Sequence, residues 1–266
     1  MTDAPIDSPH PPYPAEGVAD VLPVTKIPRR GLPGLALVVG DPARADAVAS
    51  RLAEVRLVGE NREYRTYTGS WRGVELVVSS HGVGGPGAVC LFAELAEAGV
   101  HTFLRFGTAG SLRRDIGDGD LVIAEAAVRD DGVSHQLVHP EYPAFATPEA
   151  TLALAAAART HDVAHRRGVV WTRAAFSPAV LTLPIAQYTA AGVAAIEMEA
   201  SALFVFAGLR GLRAGAALVV DGYAGNDDVD ATTYAPHRQI VVDAVRRGAD
   251  VVLDALIALD ESGVRA

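Results

Sequence analysis

Thr102-Phe103-Leu104-Arg105-Phe106-Gly107-Thr108-Ala109-Gly110 is the stretch that sets the architecture. Its first half is an apolar run of the kind buried in a sheet, and a guanidinium and a glycine-threonine pair follow. An arginine at the end of a core strand is unfavourable unless an anion meets it. The glycines behind it leave backbone N–H groups able to point at the same anion. The stretch therefore predicts a core strand whose carboxyl end holds a small oxyanion, with phosphate the best fit. A buried ion pair with a nearby carboxylate is the plainer alternative.

Outward from this strand the chain alternates strand and helix. Leu35–Val39 predicts a strand, Gly40-Asp41-Pro42 a turn and Ala45–Leu52 a helix; Asp41 suits the cap and Pro42 the first helical position. Glu63–Tyr67 and Val74–Ser80 read as strands around a turn at Arg72-Gly73. The loop from His81 to Gly87 is too glycine-rich for anything but a close backbone approach. Apolar residues at 88, 91, 92, 95 and 96 give Ala88–Ala98 a helical period. Beyond Thr102–Phe106, strands are expected at Asp120–Val128, Gly168–Thr172, Ala194–Ile196 and Ala216–Asp221. Helices are expected at Pro148–His161, Glu199–Arg210 and His237–Leu259. This order implies an α/β fold with a mixed or parallel sheet between helices. Ligands in such folds sit at the carboxyl ends of strands, where Gly40, Arg105 and Asp221 fall.

The 266 residues are 50% hydrophobic, enough for one sizeable domain at 20–266 behind a proline-rich, polar arm at 1–19 that is expected to be flexible. A single cysteine, Cys90, excludes a disulfide framework and fits a reducing cytoplasm. No apolar stretch reaches the roughly 20 residues that span a bilayer, and no basic-then-apolar signal opens the sequence. A net charge of −9 argues against nucleic acid as a partner, so any phosphate site has to be local.

Several segments, in this order, resemble the nucleoside phosphorylase family and most closely its uridine phosphorylase branch. They are Val39-Gly40-Asp41-Pro42-Ala43-Arg44, Asn61-Arg62-Glu63-Tyr64, Gly82-Val83-Gly84-Gly85-Pro86, the stretch 102–110, Val128-Arg129-Asp130-Asp131-Gly132 and Ile196-Glu197-Met198-Glu199-Ala200. The resemblance implies a three-layer α/β/α sandwich with a twisted, barrel-like mixed sheet. It implies phosphate-dependent cleavage of a nucleoside to free base and ribose 1-phosphate, with inorganic phosphate as co-substrate and no organic cofactor; no metal is expected, since Gly87 stands where the family's monovalent-cation site at Glu63 would have a serine. It also implies a homo-oligomer, a dimer or a hexameric trimer of dimers, with active sites shared across the dimer interface.

Carried over residue by residue, the resemblance places Gly40, Arg44, Arg105 and Thr108 on phosphate, and Arg62 on the phosphate of the neighbouring subunit. Arg44 lies in a first helical turn, where the dipole disfavours a cation unless an anion offsets it. Glu199 is implied on the ribose hydroxyls, Met198 beneath the sugar and Phe176 on the base. Plainer readings stand beside these: Asp41 as a simple cap, Glu197 as a complement to the helix dipole, Phe176 as a core residue, His135 and His139 as solvated loop residues, and Glu63 as a surface glutamate rather than a cation ligand.

The sequence also departs from the pattern. Val180 and Thr182 stand where the uridine branch holds uracil with a glutamine and an arginine, with Gln187 a candidate replacement. Purine-specific members carry an aspartic acid after the late strand. Here Asp221 comes one position early and Gly222 takes its place, a shift that would turn the side chain to the other face. Asp221 is read either as a general acid or as a loop cap, with Asp227 and Asp228 as alternative acids. Asp20-Val21-Leu22-Pro23 lacks the histidine that often meets the 5′-hydroxyl. The catalytic set is thus Arg105, Glu199 and Asp221. A hydrolytic nucleosidase and a non-catalytic nucleoside-binding protein are the rival functions.

Overall fold

In the computed structural model, residues 20–177, 179–225, 235 and 237–261 are described; the arm at 1–19 and the acids Asp227 and Asp228 lie outside them. Strand β1 (Leu35–Val39) is aliphatic and wholly buried. It ends at Gly40, and the Asp41 carboxylate then accepts a bond from the Ala43 amide at 2.9 Å to start helix α1 (Pro42–Ala49). Strands β2 (Ala53–Asn61), β3 (Tyr64–Trp71) and β4 (Val74–Ser80) follow as a meander. Its second turn, Arg72-Gly73, has φ of 50° and 85°, the left-handed pair that a tight hairpin needs. Helix α2 (Gly85–Glu97) leads to β5 (Thr102–Ser111). Next come β6 (Leu121–Asp130), α3 (Ser134–Leu137), α4 (Pro148–Thr160), β7 (His165–Arg173) and α5 (Ile185–Ala190). The chain finishes with β8 (Ala195–Glu197), α6 (Ala200–Gly208), β9 (Arg213–Tyr223) and α7 (Gln239–Glu261).

The strands form one 9-stranded mixed sheet in the order β2-β3-β4-β1-β5-β8-β7-β6-β9, and β5 also pairs with β9. That last pairing closes β5, β8, β7, β6 and β9 into a ring, from which β1, β4, β3 and β2 extend as a wing. The twist that a sheet acquires from its strands makes such closure accessible. Helices α2 and α6 cover one side, where Phe92, Leu95, Leu203 and Phe206 pack on Val38 and Phe103. Helices α1, α4 and α7 cover the other, where Ala45, Leu154 and Val252 pack on Leu37, Leu104 and Phe106. Each large side chain buried here contributes roughly 1.5–3 kcal/mol. The result is the three-layer α/β/α sandwich that the sequence predicts, with its barrel-like centre. No helix among the described residues is long and apolar enough to cross a membrane.

Strands β4, β1, β5 and β9 run parallel to one another, so their carboxyl ends share one edge. Gly40 and His81 lie just past β1 and β4 there. Arg105 stands level with Val38 of β1 and Ala216 of β9. On β9 the register passes from Ala109↔Val220 to Gly110↔Gly222, which leaves Asp221 as the extra residue of a β-bulge. A bulge re-aims the side chain it carries. The simple alternation expected from the sequence therefore does not hold at Asp221. Two further differences are plain: β2 reads as no strand in the sequence, and Cys90, expected within an apolar helical run, lies on the exposed side of α2.

Candidate active site

Arg105 is only 4% exposed, and its guanidinium folds back along its own strand. A Cβ built on Gly107 would lie 2.0 Å from Arg105 Nη1, so glycine at 107 is what lets the side chain adopt this position. Nη2 makes a close hydrogen bond to Glu199 Oε2 and lies 3.4 Å from Glu197 Oε2. Nε and Nη1 are buried with no hydrogen-bond partner. Each such donor costs roughly 1–3 kcal/mol while it stays unpaired. The two readings left open by the sequence thus coexist: the arginine is ion-paired, and it keeps two unpaired donors, Nε and Nη1, on either side of the guanidinium for an oxyanion or hydroxyl.

The glutamates divide their work. Glu197 accepts bonds from the Glu199 amide (2.8 Å), the Ala200 amide (2.9 Å) and the Thr172 hydroxyl (2.5 Å), which anchors the start of α6. That is the helix-complementing role that its position predicts. Burial pushes the Glu197 carboxyl above its usual range, against the pull of Arg105. Glu199 accepts from the Gly84 amide at 2.5 Å through Oε1 and from Arg105 through Oε2. Burial opposes its charge, but Arg105 and the Gly84 amide outweigh burial and hold it below the usual carboxylate range. For Arg105 too, burial works against the charge, and Glu199 and Glu197 raise its pKa nonetheless. A persistent carboxylate and a persistent guanidinium are therefore fixed side by side, with half-buried Met198 between the two glutamates in sequence.

His81, which the sequence shows only as part of a glycine-rich loop, belongs to the same cluster. It is fully buried, and its Nδ1 lies 2.8 Å from the Gly82 carbonyl oxygen. A carbonyl only accepts, so Nδ1 carries the proton and Nε2 keeps its lone pair. Burial pushes its pKa down to about 4, with Glu199 opposing and Arg105 and Arg44 adding to the effect. Its Cε1 would lie 3.9 Å from a Cβ on Gly40. Nε2 has no partner either. The signal that could have found it is its place at the end of β4, beside the end of β1.

The other expected residues are distributed as follows. Gly40 is held against the 81–82 loop, since its carbonyl accepts the Gly82 amide at 2.9 Å and an added Cβ would come 3.2 Å from the Gly82 oxygen. The first amides of α1 are taken by Asp41: the side chain accepts from Ala43, and the carbonyl accepts from Arg44 and Ala45. An anion at this turn therefore meets the Arg44 side chain and the backbone at Gly40, not the amides of residues 43–45. Thr108 is half-buried on β5, three residues beyond Arg105. Arg62 is exposed at the tip of the β2–β3 hairpin, at φ 53°, and is not gathered with Arg105 within this chain. Its neighbour Glu63 packs on Gly82. Phe176 is 46% exposed in the segment after β7 and is not a core residue. Val180 is 96% exposed, Thr182 is exposed, and Gln187 sits exposed on α5. His139 is an exposed loop residue, as expected, whereas His135 is exposed on the short helix α3, with Nε2 2.8 Å from the Arg129 carbonyl oxygen. Asp221 is buried, and its carbonyl accepts a bond from Arg238 at 2.7 Å. Among the described residues no group of His, Cys, Asp and Glu could hold a metal ion.

The sequence pattern of the Phosphorylase superfamily matches residues 35–258. A guanosine phosphorylase from Halorubrum lacusprofundi is 36% identical over 228 residues, spanning 85% of this chain and 93% of its own length. A uridine phosphorylase from Thermococcus kodakarensis is 39% identical over 196 residues, spanning 69% of this chain and 71% of its own. The crystal structure of a purine nucleoside phosphorylase from Toxoplasma gondii in complex with immucillin-H superposes with a TM-score of 0.87 at 27% identity, covering 92% of this chain and 99% of that one.

Proposed function

The chain belongs to the phosphorylase superfamily, and from that premise we propose that the Arg105–Glu199 cluster carries out the phosphorolysis of a nucleoside. Inorganic phosphate attacks the anomeric carbon, the glycosidic C–N bond breaks, and free base and (deoxy)ribose 1-phosphate leave. The observation that supports this most directly is the buried guanidinium, pinned to Glu199 through one nitrogen and with two donors unpaired. A water nucleophile has no use for such a buried cation, which disfavours the hydrolytic alternative.

In this reading Gly40, Arg44, Arg105 and Thr108 hold phosphate on one side of the anomeric carbon. Positioning of this kind supplies much of the rate enhancement in group transfer. Glu199 accepts from the ribose hydroxyls while it remains an anion, so it stabilises the positive charge that grows on the sugar ring as the base departs. Met198 lines the sugar and Phe176 stacks on the base. Asp221, re-aimed by the bulge, gives the departing base a proton, a role worth about 10²–10⁴ in rate. Arg62 completes the neighbouring subunit's phosphate site in a dimer or a hexameric trimer of dimers. The enzyme takes phosphate as co-substrate with no organic cofactor and no metal, works in the cytoplasm, and has no nucleic-acid or membrane partner. Residues 20–266 act as one unit.

The test is a panel of purine, pyrimidine and 5′-modified nucleosides incubated with and without phosphate, with both products assayed. Ribose 1-phosphate formed only in the presence of phosphate is expected. Free ribose formed without phosphate would establish hydrolysis instead, and tight binding without turnover on any substrate would establish a binding protein.

A further inference from the structure

Among the described residues, the side-chain atoms buried with no hydrogen-bond partner are Arg105 Nε, Arg105 Nη1 and His81 Nε2. All belong to one cluster, since the loop that begins at His81 donates from the Gly84 amide to Glu199 Oε1, and Glu199 Oε2 in turn accepts from Arg105. Their chemistry is not uniform. The two guanidinium nitrogens can only donate. His81 Nε2 can only accept, because Nδ1 has its proton committed to the Gly82 carbonyl. A complementary ligand therefore offers bare oxygens on one side and a hydroxyl on the other.

Resting on the phosphorolytic reading above, we infer that His81 accepts a hydrogen bond from the protonated oxygen of hydrogen phosphate and so selects it against sulfate. The two anions have nearly the same size and shape and both are dianionic at neutral pH, but only hydrogen phosphate carries a P–OH. Sulfate presents a lone pair to the Nε2 lone pair, which is repulsive and leaves the buried acceptor unsatisfied. Discrimination of this kind comes from the penalty against the wrong ligand as much as from the contact with the right one. The imidazole is well placed to act without moving. It is fully buried, its ring packs edge-on against Phe92 at 5.9 Å between centroids, and its backbone amide donates to Val39 at 2.9 Å. Burial also keeps it neutral at neutral pH, so that Nε2 stays an acceptor.

The experiment compares the wild-type enzyme with His81→Phe and His81→Gln. For each it measures the phosphate KM, the inhibition constant of sulfate against phosphate, and the nucleoside KM. The ratio of sulfate to phosphate constants is expected to fall about tenfold or more in His81→Phe. It is expected to recover in part in His81→Gln, whose amide oxygen can accept. The nucleoside KM should change little. Equal weakening of phosphate and sulfate would make His81 a packing residue and overturn the inference, and a change confined to the nucleoside KM would place its lone pair on the sugar and overturn it as well. Should His81→Phe not fold, direct titration of the wild-type protein decides: phosphate is expected to bind at least about tenfold more tightly than sulfate, and equal affinities would refute the selection. Failure of the underlying reading looks different, since wild-type turnover would then not depend on phosphate at all.

Discussion

At the scale of single residues, the site depends on one guanidinium that does two jobs. Arg105→Ala removes the cation proposed to meet phosphate and leaves Glu199 and Glu197 buried without their shared partner. A fall in kcat/KM for phosphate of roughly 10²–10³ is expected from steady-state kinetics, as for loss of a preorganised charge at a transition state. Gly107→Ala should reproduce much of that loss with the arginine still present, because the new methyl would occupy the place of Nη1; wild-type phosphate kinetics in this variant would show that the guanidinium works from another position. His81 adds a pH signature. Its unfolded pKa is near 6.5 and its folded value about 4, so between those values the unfolded chain binds the extra proton. The contribution is fully present above about pH 6.5 and falls by about 3 kcal/mol on descending to pH 4. Urea unfolding at pH 7 and pH 4.5 should therefore show a smaller acid penalty for His81→Phe than for the wild type, and equal penalties would contradict the buried neutral imidazole.

At the scale of elements, stability is gathered where α7, α4 and the β3–β4 turn meet. Asp254 of α7 accepts from Trp71 Nε1 at 2.7 Å and His161 Nε2 at 2.8 Å, and pairs with Arg72 Nη2 at 2.9 Å. This lies outside the proposed site. Asp254→Ala should lower unfolding stability by about 2 kcal/mol in a denaturant titration with kcat unchanged; a loss of activity at full stability would contradict that separation. The elements were unevenly legible in the sequence. Strand β1 is an unbroken buried apolar run and β4 carries a buried Leu76-Val77-Val78 run behind the Arg72-Gly73 turn, so their expected and observed limits coincide. Strand β2 was invisible because it is mostly exposed, holds Glu54 at φ 54° and slips register twice against β3. Arg105 was legible because charge in an apolar run demands a partner, and Glu199 was singled out only through the family resemblance. His81 was not, since the meaning of its lone pair depends on a hydrogen bond and on neighbours far off in sequence. The bulge at Asp221 was equally hidden, because it exists only relative to the partner strand β5.

At the scale of the whole molecule, closure of the sheet through β5 and β9 joins residues 102–111 to 213–223, a pairing that no local pattern announces. It also helps decide where the site lies, with Gly40, His81, Arg105 and Asp221 at one edge and Arg62 exposed at the tip of the β2–β3 hairpin. If Arg62 serves the adjoining subunit, Arg62→Ala and Arg105→Ala should complement each other. In a mixed dimer one site has both arginines and the other has neither. Co-refolding the two inactive variants should restore about a quarter of wild-type activity by random pairing. Absence of any recovery in dimers shown to be mixed would place Arg62 outside the neighbour's site.

The ring leaves the wing strand β2 paired on one side only among the described strands. Open flanks of this sort invite edge-to-edge growth into fibrils unless they are blunted. Glu54, Arg56 and Glu60 put charge along this one, and its two register slips bend it away from the straight template that an incoming strand would need. Resistance to amyloid-like assembly is thereby written into the same irregular strand that conceals itself from pattern reading.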